Sequence, residues 1–355
     1  FALLKKTMGK LDIAGGLRYD SRAFTNNALY TLPDPVTGFD TPVPAGTIGA
    51  DQPFADTKYH FHGISGSVGA TYNFNDKLSV KANVSRGFRA PNILEISANG
   101  VHPGTNIYQI GNPNFKPEFS LQEDLGFAYA SKYAVITLGV FNNTISNYIF
   151  NQRLLNSNGT DSIIVAGNQT YKFQQGKANL YGGEISIDIH PVKRIHFENS
   201  LSVVYGQNKG IDPKLRSDSN KYVPFIPPLH GISELRYDFD VKKSHIVNGF
   251  VKVQLAYYAK QDRVYLTDNT ETPTPGYTLF NAGFGAGFTN KKNKTVLNVY
   301  FFGNNLFDVA YQDHLSRLKY FEFYPNDPRG HLGIYNMGRN FSIKLDVPLS
   351  FSNGK

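Results

Sequence analysis

The chain has 355 residues, of which 41% are hydrophobic, 14% aromatic and 18% charged, and it contains no cysteine. This composition excludes intrinsic disorder, because enough apolar surface is available for burial, and it excludes disulfides and thiolate metal sites. A run of about 18 apolar residues, which a membrane-spanning helix needs, is missing. The net charge of +8 is spread along the chain and does not predict a nucleic-acid partner.

The dominant pattern is alternation of apolar and polar residues with a period of two, which is typical of strands with one apolar and one polar face. Near the end of the chain, Phe341, Ile343 and Leu345 alternate with Ser342 and Lys344. Similar alternation between turn residues predicts thirteen strands, in chain order 1–6, 10–23, 57–74, 77–89, 117–131, 133–150, 170–190, 194–207, 228–240, 244–262, 275–290, 294–308 and 337–351.

The connections between these strands alternate in length. Tight turns such as Asn75-Asp76-Lys77 and Ser131-Lys132 are each followed by a long loop, for example 90–116 or 309–336. Long loops at every second connection are unusual in a soluble sandwich, but transmembrane β-barrels combine short periplasmic turns with long extracellular loops. The sequence therefore predicts an all-β fold, a transmembrane antiparallel β-barrel.

In such a barrel the apolar face of each strand contacts lipid and the polar face lines the lumen. Strand parity predicts which side chains contact the outer-membrane lipid: Leu78, Val80, Ile185, Ile187, Phe341, Ile343 and Leu345.

The odd number of strands has a consequence for the architecture. Bacterial single-chain barrels have an even number of strands, and an open edge cannot face lipid. The first strand is also predicted to run from the extracellular side into the turn Thr7-Met8-Gly9. We therefore expect the chain to be the C-terminal piece of a larger barrel.

Five motifs, in a fixed order along nearly the whole chain, carry a family resemblance. Gly87–Ile93 (GFRAPNI) and Gly111–Glu118 (GNPNFKPE) resemble the paired FRAP and NPNL boxes of TonB-dependent outer-membrane receptors. Tyr181–Glu184 (YGGE), Val223–Pro228 (VPFIPP) and Asn304–Asp308 (NNLFD) also resemble barrel elements of that family. Each motif is weak alone, but the ordered set is specific.

The resemblance implies the last thirteen strands of a 22-stranded barrel that holds an N-terminal plug, in the outer membrane of a Gram-negative bacterium. Residues 1–351 would be barrel wall and 352–355 a short tail, although members of the family usually end on the strand's aromatic residue, here Phe351. The implied partners are the TonB complex, reached through a plug region absent from these residues, the remainder of the barrel, and possible surface lipoproteins.

Arg89 in the first box shares the parity of Lys81, Asn83 and Ser85 and should face the lumen. It could bind an anionic ligand, or it could form an ion pair across the wall with Asp124 or Glu184. The sequence favours the ion pair.

His102 lies between the two boxes. In haem receptors with these boxes a histidine in this interval is a proposed haem ligand, and the wording Ser97–His102 (SANGVH) also resembles zinc receptors of the superfamily. Neutral imidazole suits both zinc and haem iron, although a solvated loop histidine is the simpler alternative. Tyr108, in the same loop, could help to orient a ligand.

Other histidines offer further candidate ligands. His60 and His62 share one strand face and could bind a metal together, but their parity places them on the lipid-facing side. His314 and His331 fall in the last long loop and could complete a coordination sphere with His102. His196 and His245 lie near periplasmic turns and are poor candidates.

Two classes of function remain open. The first is a receptor, without enzymatic activity and without an intrinsic cofactor, that imports haem, zinc or a ferric siderophore. The alternative is a passive channel, or an outer-membrane enzyme or adhesin, on a smaller complete barrel.

Overall fold

Antiparallel strands dominate the computed structural model, as the alternating sequence predicts. The structure describes residues 1–36, 40–102, 104–211, 214, 216–239, 241, 245–268, 271–320 and 333–349. Within these ranges the elements are β1 (Ala2–Met8), β2 (Leu11–Asn26), β3 (Leu29–Pro33), β4 (Asp40–Val43), β5 (Asp51–Phe54), β6 (Thr57–Asn75), β7 (Leu78–Arg89), α1 (Ile93–Ser97), β8 (Asn99–His102), β9 (Ile107–Ile110), β10 (Glu118–Ala130), β11 (Ala134–Arg153), β12 (Thr170–Val192), β13 (Ile195–Asn208), β14 (His230–Phe239), β15 (Ile246–Tyr258), β16 (Tyr277–Thr289), β17 (Thr295–Asn304), a 3₁₀ turn (Arg317–Tyr320) and β18 (Asn340–Asp346).

Thirteen of these strands form one continuous antiparallel wall, which confirms the predicted number. Their spatial order is β1-β2-β6-β7-β10-β11-β12-β13-β14-β15-β16-β17-β18. Each neighbour along the wall is also the next wall strand in sequence, so the topology is up-and-down. Among the described residues, the edge strands β1 and β18 each pair with one neighbour, β2 and β17 respectively.

Two predicted strands end earlier than expected, one where residues adopt positive φ angles and one just before a proline. The strand predicted over 294–308 ends at Asn304, because Asn305 and Asp308 adopt positive φ angles of 50° and 56°. The last strand, predicted over 337–351, ends at Asp346. Pro348 follows and lacks the N–H that a sheet ladder requires. Phe351 and the tail 352–355 lie outside the described residues.

Two of the predicted long loops contain structure of their own. The first folds into a small sheet of order β4-β3-β5. The second holds α1 and the hairpin β8–β9, whose second strand runs parallel to the start of β12. In the part of the chain that is described, no helical segment has both the length and the hydropathy that crossing a membrane requires.

The strand register tests the predicted lipid face. Val80 pairs with Phe127, Phe127 with Leu138, and Leu138 with Ile185, so apolar side chains continue across four strands. The same parity continues through the pairs of β12 to β18 and reaches Ile343. All seven predicted lipid-facing residues therefore share one face, the outer face. The opposite, inner face carries polar residues, among them Lys81, Asn83, Asp124, Glu184 and Ser202.

Buried apolar clusters lie where the loops fold back on the extracellular end of the wall. Ala90 and Ile96 of the loop that holds α1 pack with Phe61, and Phe115 packs with Ile149 and Phe173. A third cluster joins Ala178 of β12 to Val223 and Ile226 of the VPFIPP segment. The loop motifs thus anchor the loops to the wall through buried side chains.

Candidate functional site

An ion-pair cluster at the extracellular end of β7 joins the first two motifs. The Arg89 Nε donates to Glu118, and its Nη1 lies 3.0 Å from both carboxylate oxygens of Glu95. Asn92 caps α1 by accepting from the Glu95 N–H at 2.9 Å, and the Glu95 side chain accepts from the Asn92 N–H at 2.8 Å. This reciprocal capping box and the charge-assisted bonds fix the loop to the wall.

The predicted ion pair of Arg89 is confirmed, but both predicted partners are wrong. Arg89 lies opposite Glu118 in the register, whereas Asp124 lies opposite Asn83. Asp124 accepts a hydrogen bond from Asn83 at 3.2 Å instead, and Glu184 lies further along the wall on β12. A role for Arg89 in ligand binding stays a prediction.

The hairpin β8–β9 presents His102 and Tyr108 at the extracellular side. His102 is exposed, and its carbonyl accepts from the Asn106 N–H at 2.9 Å in the turn. The Tyr108 hydroxyl donates to Asn99 Oδ1 at 2.8 Å. Burial, followed by the charge of Asp40, raises the pKa of Tyr108, so the phenol is neutral and can donate. The structure leaves the His102 imidazole accessible to a ligand.

His314 has a different environment, because it is 2% exposed. Its Nε2 lies 2.8 Å from Glu271 and its Nδ1 lies 2.8 Å from the Thr274 hydroxyl. Lys319 Nζ is 3.0 Å from that hydroxyl. A neutral imidazole that donates from Nε2 and accepts at Nδ1 satisfies this arrangement. Both nitrogens of His314 are therefore engaged within the protein, and a ligand role would require the loops to open.

The remaining predicted histidines do not add to a coordination site. His60 and His62 are exposed and lie on the outer face of β6, as their parity predicts. The described residues bring no further His, Asp or Glu close enough to complete a three-ligand group with them. His331 lies outside the described residues, so its predicted partnership with His102 stays a prediction.

An aromatic cavity of about 420 Å³ opens between the loops that follow β15 and β17. Its lining includes three tyrosines, Tyr277, Tyr311 and Tyr335, together with Gln312 and Lys319. The rings of Tyr277 and Tyr311 lie 4.5 Å apart, and burial raises the pKa of Tyr311. We call these five residues the tyrosine cavity. Closely spaced tyrosine rings with a lysine behind the cavity wall suit a planar ligand that carries negative charge.

The sequence patterns do not identify this cavity. The pairing of β15 with β16 places Tyr258 opposite Tyr277 at the extracellular end, and only the strand register shows it. Another tyrosine of the loop after β15, Tyr265, is 4% exposed and belongs to the loop interior.

The chain belongs to the TonB dependent receptor-like β-barrel family, whose model matches residues 1–306. Members of this family are transporters of the Gram-negative outer membrane rather than enzymes.

Two proteins of known name have similar sequences over part of this chain. An iron-regulated outer membrane virulence protein of Vibrio cholerae is 29% identical over 163 residues, which cover 43% of this chain and 24% of that protein. A probable hemoglobin and hemoglobin-haptoglobin-binding protein of Haemophilus influenzae is 25% identical over 181 residues, covering 48% of this chain and 17% of that protein. The matched regions are thus a minor part of these longer proteins.

Solved structures agree on the fold. The copper transporter OprC superposes with a TM-score of 0.71 at 18% identity, covering 96% of this chain and 46% of OprC. The ferric-catecholate import receptor Fiu of Escherichia coli K12 gives a TM-score of 0.60 at 18% identity, covering 95% of this chain and 42% of Fiu. The chain therefore corresponds to about half of such a barrel.

Proposed function

We propose that this chain is the barrel wall of a TonB-dependent receptor that binds a ferric chelate of the siderophore type at its extracellular side and imports it. The observation that carries the proposal is the tyrosine cavity. Iron in a siderophore is already coordinated, so its receptor needs aromatic surface, hydrogen bonds and positive charge rather than metal ligands. Tyr311 and Tyr335 supply the aromatic surface. Lys319 is 4% exposed and its Nζ donates to the Thr274 hydroxyl at 3.0 Å, so it contributes positive charge from behind the cavity wall.

Import of this kind needs parts beyond the described wall. A plug region would close the lumen and contact the TonB complex, and the remaining strands would satisfy the edges of β1 and β18, because unpaired backbone groups in hydrocarbon cost several kcal/mol each. Surface lipoproteins are possible further partners. In this proposal the wall binds and guides the ligand and performs no bond chemistry.

A second candidate ligand, haem or zinc, is favoured by a separate observation. The exposed imidazole of His102 on the β8–β9 hairpin could ligate a metal. The register places Asn99 and Tyr108, which bond to each other, on the other face of the hairpin. Neutral imidazole binds zinc or haem iron. The two ligand classes thus draw on different loops.

Growth assays separate these candidates. Cells depending on the receptor are grown on ferric siderophores, on haem or in zinc-limited medium, with the wild type, Tyr335→Ala and His102→Ala. Loss of an aromatic contact of about 0.5–1.5 kcal/mol should weaken siderophore binding by Tyr335→Ala about 2- to 12-fold, with haem and zinc use unchanged. His60→Ala, an exposed histidine on the outer face, is the matched control for His102→Ala.

The outcomes decide between the two. Failure of haem or zinc use in His102→Ala alone, with normal siderophore uptake in Tyr335→Ala, would replace the siderophore proposal by the second candidate. Normal growth of both variants on every source would reject both sites.

A further inference from the structure

A cluster of histidines and carboxylates lies at the opposite, periplasmic end of the wall, where the short turns are. Asp188 and His190 come from β12, His196 from β13 and Asp238 from β14. Asp188 has the parity of the inner face and lies opposite Glu198, which is two residues from His196 on β13. The cluster therefore faces the lumen, far in sequence and in strand position from the extracellular site.

Hydrogen bonds connect the four side chains in a row. Asp188 Oδ2 lies 2.9 Å from His190 Nε2, and Asp238 Oδ2 lies 3.0 Å from His196 Nε2. The two Nδ1 atoms, of His190 and His196, lie 2.9 Å apart. An ionised carboxylate only accepts hydrogen bonds, so each Nε2 carries a proton, and in neutral imidazoles both Nδ1 lone pairs then point at one another.

Two facing lone pairs at this distance repel unless a positive charge lies between them. Either a proton is shared, which makes one ring an imidazolium, or a metal ion accepts both lone pairs. Two nitrogen ligands on one tetrahedral zinc ion would lie about 3.3 Å apart, given Zn–N distances of about 2.0–2.1 Å. The two Nδ1 atoms would therefore need to move apart by only a few tenths of an ångström to accommodate the ion.

A second observation favours the metal over the proton. Asp188 Oδ1 is buried and has no hydrogen-bond partner in the described structure. Glu198 lies directly across from Asp188 on the neighbouring strand, and like charges in that position destabilise a sheet. Arg236 donates to Asp238 at 2.7 Å and neutralises that carboxylate. A shared proton on the imidazoles leaves Asp188 Oδ1 unsatisfied, whereas a divalent ion can bind an oxygen from this carboxylate.

We propose that Asp188, His190 and His196 bind one divalent transition-metal ion of the zinc class at the periplasmic end of the lumen. Two imidazole nitrogens and a carboxylate oxygen are a ligand set that suits such ions. Asp238 is a positioning residue that holds the His196 tautomer, as outer carboxylates do for metal-bound histidines. The site links β12 to β13, and it does not depend on which nutrient the receptor imports.

Metal binding to the receptor purified from outer membranes in detergent tests the proposal. The protein is stripped with a chelator and titrated with Zn²⁺ by calorimetry, and with Co²⁺ by visible absorption. We expect one Zn²⁺ per chain that is lost in the double variant His190→Ala/His196→Ala, and Co²⁺ bands of low-symmetry coordination in the wild type. Asp238→Asn should weaken Zn²⁺ binding about 10- to 100-fold, as the loss of a carboxylate that orients a metal-bound histidine does.

His245→Ala is the matched control, because His245 is an exposed histidine at the next periplasmic turn. It should keep the wild-type affinity. The absence of saturable Zn²⁺ binding and Co²⁺ bands in the wild type would overturn the proposal and leave a shared proton as the occupant. Equal binding by the wild type and the double variant would overturn it as well. The Co²⁺ spectrum uses the wild type alone, so it decides even where a variant fails to fold.

Discussion

The histidines at the two ends of the wall differ in how completely their side-chain atoms are hydrogen-bonded. At the extracellular end, His314 and Glu271 have side chains that are 1% exposed, and both nitrogens of the imidazole have partners. At the periplasmic end, His190 and His196 have side chains that are 25% exposed, their Nδ1 atoms face each other, and Asp188 retains an oxygen without a partner.

This difference separates a structural role from a binding role. A buried polar network in which the groups are satisfied rigidifies its surroundings, and its imidazole has no free lone pair for a metal ion. A cluster with convergent lone pairs and an orphaned oxygen is incomplete without a further positive charge. The number of histidines is therefore a weaker indicator of a metal site than the number of their unsatisfied atoms.

Removing Glu271 should have the largest effect on the extracellular cluster. Its carboxylate accepts from the Phe225 N–H at 2.9 Å, from the Tyr265 N–H at 2.8 Å and from His314. Glu271→Ala leaves three buried donors unsatisfied and should lower the local free energy of unfolding by about 3–5 kcal/mol. Hydrogen exchange of the Phe225 and Tyr265 amides measures this loss directly.

Glu271→Gln is the matched variant, because it keeps one carbonyl acceptor and the shape of the side chain. It should show a smaller acceleration of exchange at the same two amides. Wild-type exchange rates in Glu271→Ala would show that the loops are held together by other contacts, and the structural interpretation of His314 would then be wrong.

The ion-pair cluster at Arg89 provides a second satisfied network, with a smaller expected effect because the guanidinium is partly exposed. Arg89→Met leaves the buried carboxylates of Glu95 and Glu118 without their cation. The free energy of opening of segment 90–118 should fall by about 2–3 kcal/mol, as measured by hydrogen exchange. Arg18→Met, which removes an exposed pair with Asp20, should cost less than about 1 kcal/mol.

Asp188→Asn tests whether the periplasmic cluster of Asp188, His190 and His196 gains stability from a bound metal ion. In metal-free protein the change should alter stability by less than about 1 kcal/mol, because the pair with His190 is partly exposed and the repulsion with Glu198 is relieved. With Zn²⁺ at 100 times its Kd, the wild type should gain about 2.7 kcal/mol and the variant clearly less. Thermal unfolding with and without Zn²⁺ measures both values, and an equal gain in the two proteins would argue against Asp188 as a ligand.

The wall could be predicted from sequence far better than the sites. A period of two and alternating connection lengths predict strands, faces and direction, and the register confirms the strands and their shared face from Val80 to Ile343. The partners of Arg89 depend on which carboxylate lies opposite the strand end, and that register is not contained in local periodicity. His196 was judged a poor ligand from its position alone, because its contact with His190 arises only when the turn closes.

A pH-dependent effect concerns Asp268, in the same extracellular loop as Glu271. Its Oδ1 accepts from the Arg153 N–H at 3.1 Å, and burial raises the pKa of this carboxyl to about 6 from the usual 3.8. Because the folded loop then binds the proton more tightly than the unfolded one, the stability contributed by protonated Asp268 is full below about pH 4. It is lost as the pH rises through about 6.

Asp268→Asn fixes the side chain in a neutral form and should therefore remove this pH dependence. The ratio of hydrogen-exchange rates between wild type and variant, measured for the loop amides from pH 4.5 to 7.5, should rise with pH. Asp262→Asn removes an exposed carboxylate in the same loop and should leave the wild-type profile intact. A constant ratio for Asp268→Asn would mean that Asp268 does not titrate between these values. The Glu271 carboxylate has three hydrogen-bond donors, whereas the Asp268 carboxylate has one backbone donor. A constant ratio would therefore mean that this difference in donors does not make Asp268 the easier of the two carboxylates to protonate.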